Sequence, residues 1–230
     1  IRARNIAKEN NYTSEYATAL RRIGLVYMDL RDYPKTLSYL HQALYQAESI
    51  QSKRGMAIEH MNLGMTHEYM KNVDSALLYV QKAFEGKAYI EDLYPEVLRV
   101  MGNIQTKKNN QTQALNYYRQ GIDAGLKLND YRTISYICSD AAAMFKYFGQ
   151  PDSSIAYAKM GLKYGRINAY KKGILFSSTI LSEYYDSIDP KQALYYYKIA
   201  AAAKDSLFGA GNMQTIQSRV SKEEARQMEI

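Results

Sequence analysis

The chain has three histidines, His41, His60 and His67, and one cysteine, Cys138, so chemistry that needs either residue type has few places to occur. His60 and His67 stand seven residues apart with Glu59 and Glu68 beside them. On a helix that spacing puts two imidazoles on one face but two turns apart, whereas a helical zinc site of the protease kind sets them about four apart with an acid between. No metal site is expected from them. Cys138 lies in the run Ser135-Tyr136-Ile137-Cys138. It has no second cysteine for an intrachain disulfide or a thiolate cage, and an apolar setting keeps a thiol inert. Neither a glycine-rich phosphate loop nor a Gly-x-Ser-x-Gly elbow occurs, and the carboxylates pair only as they do on any charged helix. The expectation is a protein without catalysis and without a cofactor.

Composition narrows the class further. Of 230 residues, 47% are hydrophobic and 23% charged, as in an ordinary globular protein. Lys and Arg exceed Asp and Glu by 30 to 23, giving +7. The basic residues are scattered rather than gathered into the stripe that marks a nucleic-acid binder, so the excess implies a bias toward acidic partners. No run approaches the roughly 18 to 20 apolar residues of a membrane-spanning helix. The opening Ile1-Arg2-Ala3-Arg4-Asn5 lacks both an initiator Met and the layout of a signal peptide, and we expect the chain to be a piece of a longer protein. Tyrosine is one residue in ten and tryptophan is absent.

The tyrosines belong to a repeat. The segments beginning Thr36-Leu37-Ser38-Tyr39, Ala76-Leu77-Leu78-Tyr79, Ala114-Leu115-Asn116-Tyr117, Ser154-Ile155-Ala156-Tyr157 and Ala193-Leu194-Tyr195-Tyr196 share one pattern: small, aliphatic, any residue, tyrosine. Seven positions after each start comes Ala43, Ala83, Gly121, Gly161 or Ala200, and the copies are spaced 40, 38, 40 and 39 residues. Upstream, a second small residue recurs at Gly24, Gly64, Gly102 and Ala142, with Leu181 as the departure in the fifth copy. Between the two halves sit capping and turn residues: Asp32 with Pro34, Asp74, Asn109-Asn110, Gly149-Gln150-Pro151-Asp152 and Asp189-Pro190. Apolar spacing such as Leu20, Ile23, Tyr27 and Leu30 is helical, and no segment alternates like a strand. The reading is all-α. Small residues on facing helices let two backbones approach, and the repeat tyrosines Tyr39, Tyr79, Tyr117, Tyr157 and Tyr196 are expected to plug the gap between them.

A small residue in one helix, then Ala-aliphatic-x-Tyr and a further small residue in the next, resembles the tetratricopeptide repeat. The resemblance covers residues 12 to about 205, with a period a helical turn longer than the family's usual 34 and without most of its repeat-end prolines. It implies a right-handed α-solenoid of tetratricopeptide-type helix pairs. The expected organisation is a remnant second helix over 1–11, repeats at about 12–51, 52–91, 92–130, 131–170 and 171–205, and a C-terminal capping or linker helix over 206–230. A stripe of Met213, Ile216 and Val220 would dock that last helix.

In the family the first helix of each pair lines a concave peptide-binding face. Carried over residue by residue, this implies a groove of Arg21, Leu25, Asp29, Met61, Met65, Tyr69, Arg99, Asn103, Lys107, Ser139, Lys146, Tyr147, Ser182 and Tyr185. Arg99, Asn103 and Lys107 form a stripe able to hold a carboxylate, similar to part of the family's carboxylate clamp, although Ser139 stands where a further basic residue is expected. Met61, Met65 and Tyr69 suggest an adaptable apolar patch. The implied partner is a protein or peptide with acidic groups or a free carboxylate, with no small-molecule cofactor. The step Lys204-Asp205-Ser206-Leu207-Phe208 into a charged helix resembles the exit of the repeat array in bacterial membrane-anchored sensors, whose outputs are histidine-kinase or helix-turn-helix domains. That implies the sensor or adaptor region of a bacterial signalling protein, extracytoplasmic or alternatively cytoplasmic. Two other functions stay open: a nucleic-acid-linked regulator, and a structural module that self-associates, for instance as a homodimer through the C-terminal helix.

Overall fold

A computed structural model describes residues 13–209 together with Gly211, Gln214 and Ser218. The expected remnant helix over 1–11 and most of the expected cap over 206–230 lie outside the described residues. Two compact units are formed, Ile1–Gly121 and Ile122–Ile230. In the first are α1 (Thr13–Asp29), α2 (Tyr33–Ser49), α3 (Lys53–Tyr69), α4 (Val73–Glu85) and α5 (Tyr94–Lys107). Helix α6 (Gln111–Leu128) carries the chain into the second, which holds α7 (Tyr131–Tyr147), α8 (Pro151–Ile167), α9 (Lys171–Tyr185) and α10 (Pro190–Phe208). Consecutive helices pack as pairs, and the described residues contain no strand.

One joint is used again and again. Arg31, Gln51, Lys71, Asn109, Asn129, Gly149 and Ala169 all have positive φ, between 48° and 68°. At each, the positive-φ residue and its successor bond back to the helix just ended, as in Arg31 N to Met28 O at 3.0 Å and Asp32 N to Tyr27 O at 2.9 Å. This double bond closes off carbonyls that the helix end would leave unpaired. The successor then begins the next helix: the Asp32, Ser52, Asn110 and Asp130 side chains accept from backbone N–H groups three residues on. A 17-residue helix, as in α1, α2, α3, α7 and α8, plus a three-residue joint makes a half-repeat. The lengthened period therefore resides in longer helices. Between Lys71 and Asn109 the rhythm breaks: α4 has only 13 residues, and two 3-10 turns, Lys87–Tyr89 and Glu91–Leu93, lead into α5. Arg54 ties this connection down, donating to Tyr89 O and to both oxygens of Asp92, each at 2.8 Å. At the start of α4 the cap position falls to Asn72, with Asp74 inside the first turn.

Inside the pairs the structure revises the tyrosine expectation. A Cβ added to Gly24 would meet Leu40 at 3.3 Å, one on Gly64 would meet Val80 at 2.3 Å, and one on Gly102 would meet the Tyr118 ring at 2.3 Å. The plug is therefore the residue after the repeat tyrosine, and Leu40, Val80, Tyr118 and Ala158 are all buried. Tyr39, Tyr79, Tyr157 and Tyr196 stand beside it and stack on a ring of the first helix. Tyr27 faces Tyr39 at 5.5 Å, His67 faces Tyr79 at 5.4 Å, Phe145 faces Tyr157 at 5.3 Å and Tyr185 faces Tyr196 at 5.7 Å. Tyr39 is buried, and Tyr79, Tyr117, Tyr157 and Tyr196 are half-buried. In the fifth pair Leu181 is core, and the small residue at the close approach is Ser182, whose hydroxyl donates to Ala193 O at 3.1 Å.

Candidate binding face of the first helices

The face expected to bind is carried by α1, α3 and α5 in the first unit and by α7 and α9 in the second. In the first unit it is cross-bonded from helix to helix. Arg21 donates to Glu59 at 2.8 Å and to Thr18 at 3.2 Å, joining α1 to α3. Lys107 binds the Glu68 carboxylate and reaches Glu68 O at 2.5 Å, joining α5 to α3. Glu59 and Glu68 lie on opposite sides of α3 and face these two neighbours. Glu59 is buried, and its second oxygen has no hydrogen-bond partner among the described residues; burial pushes its carboxyl up to about 7, with Arg21 pulling the other way.

The stripe Arg99, Asn103 and Lys107 is occupied from within. Arg99 is 4% exposed, and its guanidinium donates twice to Glu96 Oε1, at 2.8 and 3.1 Å, and once to Met65 Sδ at 3.5 Å. Asn103 accepts from the Tyr118 hydroxyl at 2.7 Å. The carboxylate that Arg99 holds is the chain's own, because Glu96 sits one turn before it on the same helix. Met61 and Met65 likewise belong to the core around Val80, Val97 and Met101 rather than to an open patch. Tyr69 and Asp29 are exposed and Leu25 half-buried.

The second unit is more open. Ser139 is buried, donating to Ser135 O at 2.9 Å and lying 2.9 Å from the Ser177 hydroxyl. Ser135 in turn donates to Gly161 O at 2.7 Å. Small residues and hydroxyls thus let α7, α8 and α9 approach closely, and Ser139 serves that crossing. Ser182 and Tyr185 are engaged with α10, as described above. Lys146 and Tyr147 remain at the surface: Lys146 pairs with Glu183 of α9 at 2.5 Å, and Tyr147 is 65% exposed. Beside this pair is a mainly apolar cleft of about 170 Å³, bounded by Lys146, Gln150, Pro151, Ile180, Glu183 and Tyr184. Its residues Ile180, Glu183 and Tyr184 were not read from the sequence. Glu183 was legible as an acid 37 residues from Lys146, close to the repeat period.

The histidines meet at one ring. His41, His60 and His67 stand 6.1, 6.2 and 5.4 Å from Tyr79. Burial and the neighbouring Lys82 hold His60 below its ordinary value, and burial and His41 do the same for His67. Among the described residues no three His, Cys, Asp or Glu side chains stand close enough to hold a metal ion. Cys138 is buried, and burial, with Asp140 adding to it, pushes its thiol up to about 12. None of the described helices is long and apolar enough to cross a membrane.

Comparison with known proteins agrees with this geometry. The tetratricopeptide repeat profile matches residues 15–88. Response regulator aspartate phosphatase E of Bacillus subtilis (strain 168) is 29% identical over 107 residues, 45% of this chain and 28% of that protein. A Rap protein solved in complex with competence and sporulation factor superposes with a TM-score of 0.72 at 11% identity, covering 94% of this chain and 65% of that one. BtubC (BKLC) from P. vanneervenii superposes with a TM-score of 0.62 at 13% identity, covering 90% and 87%. The chain thus spans less than two thirds of the length of the aspartate phosphatase and of the Rap protein. The profile matched on the first two helix pairs, and the same pair design in those that follow, make this chain a series of tetratricopeptide-type helix pairs.

Proposed function

We propose that the chain is a protein- or peptide-binding scaffold that works without catalysis of its own, and that the second unit takes the partner at the cleft beside Lys146 and Glu183. The observation that carries this is the contrast between the two units. In the first, the basic groove candidates are committed to internal acids. In the second, the exposed ion pair of Lys146 and Glu183 borders an apolar cleft, and the exposed Tyr147 follows Lys146 in the chain. At about 170 Å³ the cleft is smaller than the roughly 300 Å³ at which small-molecule pockets begin. It suits one apolar side chain of a peptide, with the flanking charges engaging its backbone or a neighbouring charged residue. The Rap protein solved with competence and sporulation factor shares this fold, which favours a peptide as the partner class. A place in bacterial signal transduction is part of the same proposal, supported by the partial match to a response regulator phosphatase.

The test is calorimetric titration against a library of short peptides with free and amidated C-termini. Ile180→Arg, which fills the cleft, and Lys146→Glu should each weaken the best binder at least tenfold, while Lys82→Glu on α4 leaves it unchanged. Equal affinity in the Ile180→Arg and parent chains, or loss on Lys82→Glu alone, would remove the cleft from consideration.

A further inference from the structure

Residues 153–182 contain five basic side chains and no Asp or Glu. The fold of the second unit adds Lys127 and Arg132 to four of them at one end. There the last turn of α6 meets the first turn of α7, and the last turn of α8 meets the first turns of α7 and α9. A Cβ added to Gly125 would lie 2.7 Å from Ile134, and one on Gly165 would lie 2.9 Å from the Ser135 hydroxyl and 3.2 Å from Ile174. Tyr131 stacks on Tyr164 at 5.8 Å, and Tyr136 meets Tyr170 edge to face at 5.0 Å with their hydroxyls bonded. Lys127, Arg132, Lys163, Arg166 and Lys171, all exposed, therefore share this end with the half-buried Lys172. The acids nearest to them along the chain are Asp123, one turn before Lys127, and Asp130, which caps α7 by accepting from Thr133 N at 3.0 Å. Scattered in the sequence, the cations are gathered by the fold. The cleft beside Lys146 lies at the other end of α7, α8 and α9, where Asp152, Glu183 and Asp186 stand.

The way these cations are held sets them apart from those of the first unit. There Arg21 is paired with Glu59, Arg54 with Asp92, Arg99 with Glu96 and Lys107 with Glu68. Here tyrosines take the place of acids. Arg132 lies over the Tyr170 ring at 5.4 Å, Lys163 lies over the Tyr164 ring at 5.9 Å, and Arg166 donates to the Tyr195 hydroxyl at 3.2 Å. A ring face or a phenol oxygen positions a cation without cancelling its charge. Among the described residues, none of Lys127, Arg132, Lys163, Arg166 and Lys171 has a carboxylate within ion-pair distance. We propose that this end of the second unit binds an acidic segment of a partner protein, a run of Asp or Glu side chains. The two arginines can each grip a carboxylate with a pair of parallel donors, and the lysines around them extend the attraction along the segment. The rings argue against a single-stranded nucleic acid, which needs free aromatic faces on which to stack its bases. Tyr131 and Tyr164 are half-buried against one another, and Tyr170 is half-buried beneath Arg132.

The test is fluorescence polarisation of a labelled oligoglutamate peptide titrated with the full chain, with oligoglutamine and oligouridine RNA of equal length as comparisons. The parent should bind oligoglutamate more tightly than either. Raising the salt from about 0.05 M to about 0.3 M should weaken that binding severalfold, because the charges are screened over a shorter distance. Arg166→Gln combined with Lys171→Gln should weaken it at least fivefold. Lys191→Gln combined with Lys198→Gln, which removes the same charge from α10, should change it less than twofold; all four side chains are exposed. Arg132→Gln, which leaves α8 and α9 untouched, should weaken binding at least twofold on its own, so the outcome does not hang on one variant. Equal losses in the two double variants would assign the binding to net charge and overturn the proposal. Tighter binding of oligouridine would overturn it in favour of a nucleic acid, and absent or salt-insensitive binding of oligoglutamate would overturn it outright.

Discussion

Gly64 of α3 faces Val80 of α4 so closely that a Cβ on the glycine would lie 2.3 Å from Val80 Cγ2 and 3.1 Å from the Val80 backbone nitrogen. The side-chain atom can turn away; the backbone atom can move only if α4 moves. Gly64→Leu should therefore cost on the order of 1 to 3 kcal/mol or more by overpacking, read as a drop in melting temperature. The matched control is Gly149→Ala, where an added Cβ would meet no atom of the described residues within 4 Å beyond its chain neighbours and only the φ of +68° resists. It should cost about 1 kcal/mol. Equal losses in the two variants would show that backbone conformation, rather than the helix approach, sets the requirement for glycine at 64.

The joint at Ala169 offers the opposite sign. Its φ is 48°, a region that an L residue with a Cβ enters at a cost, and its side chain is exposed, so nothing is lost by removing it. The bond from Tyr170 N to Gly165 O at 2.7 Å holds the conformation in place regardless. Ala169→Gly should stabilise the chain by about 0.5 to 1 kcal/mol, the relief at φ > 0 being partly offset by a freer unfolded chain. Urea unfolding would measure it, and an unchanged or lower midpoint would count against stored strain at this joint.

Much of the fold was legible because the repeat motif writes the helix contacts into the sequence five times. What escaped was which neighbour does what. The fourth and fifth positions of the motif are neighbours in the chain, about 100° apart on the helix, so the invariant tyrosine drew the eye while Leu40, Val80, Tyr118 and Ala158, which vary, fill the gap. The rings on which Tyr39, Tyr79 and Tyr157 stack were hidden for a related reason: Tyr27, His67 and Phe145 are all rings but not one letter. The groove was read one helix at a time, and that missed the acids on adjacent first helices. Glu59 for Arg21 and Glu68 for Lys107 appear only when opposite charges are sought 38 or 39 residues apart.

Glu59 links that ladder to pH. Burial pushes its carboxyl from 4.5 to about 7. Between those values the folded chain keeps a proton that the unfolded chain has released. Its contribution is therefore full below 4.5 and is lost as pH rises through about 7. His60 and His67 act in the other direction: both are held below 6.5, so their contribution is present above 6.5 and lost as pH falls. Comparing variants separates the two. Glu59→Gln should remove a pH-dependent loss on the order of 2 to 3 kcal/mol between pH 5 and 8, measured by denaturant unfolding. Parallel pH profiles for Glu59→Gln and parent would show that this carboxyl does not take up a proton on folding.

Arg99 separates a structural from a binding role for the first-helix face of the first unit. Its side chain is 5% exposed, and Glu96, at 15%, accepts two of its hydrogen bonds. Removing one member of such a buried pair leaves the other charged and without its partner, a loss of roughly 3 to 5 kcal/mol. Arg99→Met should therefore destabilise the chain markedly. The double variant Arg99→Met with Glu96→Gln should recover a good part of that loss, because no uncompensated charge is left behind. Lys107→Met should cost less, since the lysine is 30% exposed and water screens part of its pairing with Glu68. If Arg99→Met instead melts with the parent and only peptide affinity falls, Arg99 is serving a ligand carboxylate after all, and the internal pair with Glu96 gives way when the partner arrives.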